Sequence, residues 1–128
     1  MESKTTFNIK VTVRPVYDTK NSYPLENRFV FRYDIAIENL SRIPIQLLRR
    51  EWLIYDLGYG FTEVKGEGVI GLTPVILPGN DFDYFSNVLL SSGVGYMTGV
   101  YQFRNLLTEE IFDVEIPKFK LHSLVLCN

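Results

Sequence analysis

From Phe7 onward the chain alternates, with Phe7, Ile9, Val11 and Val13 apolar and Asn8, Lys10, Thr12 and Arg14 polar. Successive side chains of a strand point to opposite faces, so this stretch predicts a first strand with one face on a core and one in water. Pro15, which has no amide proton for a ladder, ends the regular pairing or marks an edge. A turn-rich stretch from Asp18 to Asn27 leads to a longer second strand, in which Phe29, Phe31, Tyr33, Ile35 and Ile37 face one way and Arg32, Asp34 and Glu38 the other.

Pro44 opens a third strand from Ile45 to Tyr55. Its parity groups Leu48, Trp52 and Ile54 with Gln46 and Arg50, a mixture that a β-bulge would resolve by shifting register. Trp52 is the natural central pin of a core. Further strands are expected around Thr62 to Lys65, Val69 to Leu72, Asp81 to Leu89, Tyr96 to Phe103, Ile111 to Ile116 and Phe119 to Leu126. They are punctuated by Gly58, Gly60, Pro78 with Gly79, Gly93 with Gly95, and Pro117. No window of about twelve residues carries a 3.6-residue apolar period, so little or no α-helix is expected. Strands at this spacing with turns between them predict a single all-β domain over residues 1–128, a sandwich or a barrel.

Composition narrows the function more than the fold. Nine Phe, eight Tyr and one Trp favour pleated sheet, where flat rings pack well. Thirteen Lys and Arg stand against 15 Asp and Glu, a net charge of −2, so nothing drives the chain toward phosphate backbones, and nucleic acid is not expected as a partner. Cys127 is the lone cysteine and His122 the lone histidine, which leaves no intrachain disulfide and no expected metal site or cofactor. Met1 to Thr6 is polar, and no apolar run reaches the roughly 18 residues of a membrane span. The expected compartment is the cytoplasm, with no membrane association.

Gly66, Gly68 and Gly71 satisfy GxGxxG, the spacing that lets bare backbone approach a pyrophosphate ahead of a helix N-terminus. Pro74 follows at once and no helical pattern begins, so a βαβ unit is excluded. The glycines are expected to serve turns, a bulge or close sheet contact; an amide nest for an anion is the sharper alternative. Arg49 and Arg50 must point to opposite faces of their strand. One solvated charge and one half-buried ion pair is the plain expectation, with a cation–π contact to Trp52 or a tyrosine also open. An anion-binding guanidinium is the sharper one.

Asp81 with Asp83, and Asp113 with Glu115 behind Glu109 and Glu110, pair carboxylates at strand parity, and a polar sheet face is their expected role. Ser86, Ser91 and Ser92 lack a nucleophile elbow. No catalytic residues are expected, and the chain is expected not to be an enzyme. Tyr96, Tyr101, Phe103, Phe82, Tyr84 and Phe85 are expected to pack the core, or, if exposed together, to mark a partner surface.

Several collinear strings together resemble the bacterial ApaG family across nearly the whole chain. They are Tyr33 to Asn39, Gln46 to Trp52, Gly66 to Gly71 with Pro74, Pro78-Gly79 with Phe82, Tyr84 and Ser86, Gly95 to Tyr101, and Ile116-Pro117 with Phe119 and Leu121. The resemblance implies an immunoglobulin or fibronectin type III-like antiparallel sandwich. It also implies links to diadenosine tetraphosphatase genes and to cobalt and magnesium tolerance, while related eukaryotic domains in F-box and polymerase-interacting proteins imply protein binding. Glu51 stands where the family often has histidine, and Leu72-Thr73 replaces its usual polar pair, so no role of those residues carries over.

Three functions are therefore expected in descending order. The first is a non-enzymatic interaction module for a protein partner, with a homodimer as one form. The second is a binder of pyrophosphate or a nucleotide that uses Gly66, Gly68 and Gly71 with Arg49 or Arg50. The third is a divalent-cation tolerance factor.

Overall fold

The computed structural model describes residues 1–123. Their strands are β1 (Glu2–Thr6), β2 (Ile9–Tyr17), β3 (Phe29–Asn39), β4 (Ile45–Asp56), β5 (Gly60–Glu67), β6 (Val75–Ile76), β7 (Asp81–Leu90), β8 (Val94–Asn105) and β9 (Ile111–His122). The helical content among these residues is two single 3-10 turns, Thr19–Asn21 and Pro24–Glu26. No described helix is long and apolar enough to cross a membrane.

The strands form two antiparallel sheets, one in the order β1-β2-β3-β7 and the other β5-β4-β8-β9 with β6 added to β4. Alternation dictates what lies between them. β2 sends Ile9, Val11 and Val13 inward and β3 sends Phe31, Tyr33, Ile35 and Ile37, while the facing sheet contributes Ile45, Leu47, Trp52, Tyr101, Phe103 and Phe119. Trp52 is the expected pin: its ring meets Tyr33 at 5.4 Å, Phe119 at 6.0 Å and Tyr101 at 6.3 Å, all three edge to face, at 66°, 87° and 78°. Such contacts add roughly 0.5–1.5 kcal/mol per aromatic pair beyond area burial. The fold is the expected all-β antiparallel sandwich.

The bulge expected in the third strand is present. The β4–β8 ladder shifts between Leu47 and Arg49, so Ile45 and Leu47 point inward before Leu48 and Arg50, Trp52 and Ile54 do so after it. Pro15 marks an edge rather than an end. β2 runs on to Tyr17, but β1 partners only Ile9 to Val13, so at Pro15 the ladder has a neighbour on the β3 side alone.

Three strand expectations need correction, and β1 was not anticipated. Phe7 does not belong to the core face: it and Asn8 form the two-residue β1–β2 turn at φ 49° and 63°, and its ring lies out at 70 % exposure against Phe112. β1 itself carries no alternation, being exposed on both faces, and is created by its pairing with β2. Val69 to Leu72 is no strand but a tight turn in which those two residues bridge each other. The two strands expected on either side of Pro117 are one, because a bulge opposite Met97 and Gly99 absorbs the proline. Residues 124–126 of the last expected strand, and Cys127, lie outside the described residues.

The two lateral sides of the sandwich differ. On one, β1 and β9 pack together, tied by a Lys4–Glu115 ion pair at 3.1 Å and by the Glu115 amide donating to Thr6 Oγ1 at 3.3 Å. On the other, the edge strands β5 and β7 do not pair, and the sandwich is open.

Candidate functional site

At that open side the bulge in β4 decides which arginine turns inward. Arg50 comes onto the Trp52 face, between Gly66 of β5 and Tyr101 of β8, while Arg49 points outward and is exposed. The Arg50 Nη1 donates to the carbonyls of Glu67 at 3.0 Å and Gly68 at 2.9 Å. Those are its protein hydrogen bonds, so Nε and Nη2 remain uncommitted to protein acceptors, and no described carboxylate pairs with it. Neither the ion pair nor the ring-face contact anticipated for one of the two arginines forms: the cation–π pairs are Arg32 on Phe85 and Lys118 on Tyr96.

The glycine string explains how a charged side chain fits there. A Cβ on Gly66 would meet Arg50 Nη1 and Nη2 at 2.9 Å, so the missing side chain is the space the guanidinium occupies. Gly68 sits at φ 60°, where a Cβ would run into the Leu72 carbonyl oxygen. Its amide donates to Leu48 O at 2.7 Å, and Val69 and Leu72 exchange amide bonds at 2.9 and 2.8 Å around a turn whose centre, Ile70 and Gly71, has φ 44° and 77°. The amides of Gly68, Val69 and Leu72 are thus spent on protein carbonyls, the string seats an arginine, and no helix follows it.

Arg50 opens onto a cavity of about 260 Å³ between the sheets. That is several times the roughly 30 Å³ a water molecule occupies in the liquid. Tyr33, Trp52, Tyr84, Ser86, Asn87 and Met97 line it with Val64 from β5 and Val69 and Ile70 from the turn, and no histidine or carboxylate is among the lining residues. Burial pushes the Tyr33 phenol up from its ordinary value, with the hydrogen bond to Ser86 and the Arg50 charge working the other way. Tyr84 and Tyr101 share a buried hydrogen bond, and burial drives both phenols well above the usual range despite the pull of Arg50. The site is a permanent positive charge surrounded by neutral hydroxyls. Tyr84 and Ser86 could have been assigned to it from their shared parity on β7 with Phe82; Asn87, on the other parity, carried no such signal.

Asp81 and Asp83 lie on the exposed face of the first sheet, as expected. Partial desolvation and then the neighbouring Asp81 and Glu38 push the Asp83 carboxyl up. Among the described residues no three His, Cys, Asp or Glu side chains are grouped to hold a metal ion. Of the six aromatics of the second half, Tyr84, Tyr101 and Phe103 are buried, whereas Phe85 and Tyr96 stand on the outer faces. Tyr96 joins Tyr55 and Phe61 in a cross-strand row with ring centres 5.2 and 5.0 Å apart.

The model of the ApaG domain matches residues 19–105, which include Arg50 and all three glycines. A curated relative, Protein ApaG of Yersinia pseudotuberculosis serotype O:1b, is 45% identical over 113 residues, covering 88% of this chain and 90% of its own. The chain belongs to the ApaG family. A crystal structure from Bordetella pertussis, described as an ApaA protein, superposes on this ApaG-family chain with a TM-score of 0.86 at 33% identity, covering 92% of this chain and 95% of that one. A crystal structure of a protein from Archaeoglobus fulgidus shares the fold alone, with a TM-score of 0.52 at 8% identity.

Proposed function

We propose that this ApaG-family chain is a non-enzymatic binding module that takes an oxyanion, a phosphate-type or carboxylate group, at Arg50 on the open side of the sandwich. One observation carries the reading: a half-buried guanidinium, which cannot lose its proton, has no carboxylate partner among the described residues and keeps two of its three nitrogens uncommitted to described acceptors. A charge held away from water without a counter-charge is costly, and an oxyanion matches the guanidinium fork. The lining supplies hydroxyl and amide groups to orient a ligand but no general base, which favours binding over turnover. Pyrophosphate is the first ligand to try. Its grip would come from Arg50 with Ser86, Asn87 and the tyrosines, and Gly66 would serve it indirectly by seating the arginine.

Amide NMR titration with pyrophosphate, orthophosphate and acetate tests this. Saturating shifts at Val69, Ile70, Ser86 and Asn87 are expected, lost in Arg50→Gln and retained in Arg49→Ala. Linear, unsaturated shifts with all three anions would sink it.

A protein partner is the second reading, favoured by the exposed free edge at β5, since unpaired edge amides and carbonyls are a template for an added strand. Within the sandwich class we take β2-β3-β7 facing β5-β4-β8-β9 as a fibronectin type III-like order. We assign the chain to the cytoplasm, where a lone cysteine needs no partner. Metal tolerance has the weakest support, since the carboxylates stand dispersed on outer faces.

A further inference from the structure

β5 pairs with β4 in unbroken register from Arg49↔Glu67 to Asp56↔Gly60 and has no described strand on its other side. It contains no proline and no bulge, and every side chain from Phe61 to Lys65 is exposed. Natural edges are commonly blunted by such devices, and β5 carries only its charges. Those charges are arranged. Phe61, Glu63, Lys65 and Glu67 lie on the outer face, while Thr62, Val64 and Gly66 lie toward the sandwich interior.

We propose that β5 pairs antiparallel with β5 of a second copy of this chain, about a two-fold axis through Val64. This deepens the protein-partner reading by naming the partner. A two-fold axis perpendicular to the sheet keeps outer faces together, so it must pass through a residue that then faces itself. Centred on Glu63, the pairing sets glutamate against glutamate. Centred on Lys65, it sets lysine against lysine and Glu63 against Glu67. Centred on Val64, each Glu63 faces the Lys65 of the other copy, Val64 faces Val64, and Thr62 faces Gly66. Opposite charges directly across a strand pair are favourable and like charges unfavourable, so among these three registers at the centre of the strand the side chains favour the one through Val64.

The pairing joins the two β5-β4-β8-β9 sheets into one. It also places the Val64 pair at the mouth of the Arg50 cavity, which Val64 lines. A single strand pair buries less than the roughly 1,200 Å² of a stable interface, so the dimer is weak and concentration-dependent.

Sedimentation velocity of the full chain from about 10 μM to about 1 mM, a range that spans weak dimer affinities, is the first measurement. The dimer fraction is expected to rise with concentration. Glu63→Lys and Lys65→Glu should each hold the chain monomeric, and the double exchange should restore the dimer. Val64→Cys in a Cys127→Ser background should form a symmetric disulfide under mild oxidation, far faster than Leu107→Cys in the exposed β8–β9 turn and slowed by Glu63→Lys.

A chain that stays monomeric throughout, a dimer indifferent to Glu63→Lys, or Leu107→Cys linking as fast as Val64→Cys each overturns the pairing. Monomeric behaviour with Val64→Cys unlinked still leaves a foreign strand as the occupant of the edge. A biotinylated peptide of the β5 sequence scrambled in its charges tests that separately, and the anion titration is read on different residues.

Discussion

The two lateral sides of this sandwich are built from the same materials and end in opposite states. On the closed side β1, a polar strand with no core face of its own, covers the flank of β2 and meets β9 through Lys4, Thr6 and Glu115. On the open side no described strand does this, and β5 and β7 part around a cavity that holds Arg50. The difference teaches that a flank can be sealed by packing under a surface ion pair that is itself exposed and weak. Leaving one open demands specific accommodation of whatever turns inward, here a glycine opposite the guanidinium and a glycine-shaped turn above it. Substitutions at three places bear on that contrast.

The largest effect is expected at the turn of the open side. Gly68→Ala forces a Cβ into the Leu72 carbonyl at φ 60°, a backbone clash that side-chain motion cannot relieve. It should cost about 3 kcal/mol or more in urea denaturation. Gly66→Ala meets only the far end of the Arg50 side chain, so it should cost about 1 kcal/mol or less while displacing the guanidinium and weakening anion binding. Equal losses for the two would mean that the string serves the backbone alone.

Next come the phenols behind the cavity. Tyr84→Phe strands the buried Tyr101 hydroxyl, and Tyr101→Phe strands that of Tyr84, each at about 1–3 kcal/mol. The double variant should lose less than the sum of the two. Both phenols are raised in the folded chain, so folded protein holds its protons where unfolded chain has released them. Stability is therefore full below about pH 10 and falls as pH rises beyond it. Tyr84→Phe should flatten that alkaline decline, and a decline as steep as in the unaltered chain would place its cause elsewhere.

The smallest effect belongs to the closed side. Lys4 and Glu115 are about half exposed, so Lys4→Ala should change stability by about 0.5 kcal/mol or less, a difference that shrinks further in high salt. A loss of several kcal/mol would show that the closed flank is held by this pair rather than by the packing beneath it.

Much of the sandwich was legible in single strands. The parity of β2 and β3, the bulge in β4, the central place of Trp52 and the near absence of helix all follow from period-two alternation, a property each strand carries alone. Arg50 shares a parity with Trp52, so its inward turn was written in β4 as well. That Ile45 and Leu47, of the other parity, also turn inward follows from the ladder shift at Leu48 where β4 pairs with β8.

What tertiary structure decided lies between strands. β1 has no apolar periodicity and exists because β2 offers it a ladder. Val69 to Leu72 looks like a strand by composition, but positive φ at Gly68, Ile70 and Gly71 turns it back on itself, and Val69 and Leu72 bond to each other. Pro117 looks like a stop, yet a bulge facing Met97 and Gly99 carries β9 through it. The glycines of GxGxxG resemble a phosphate loop until Arg50, a residue sixteen or more positions earlier in the chain, is found filling the space beside Gly66. Local alternation is set by the two faces of one strand, and a sequence records it directly. Register, closure and the neighbour of a missing side chain depend on residues far apart in the chain, and only the packed sheets bring those together.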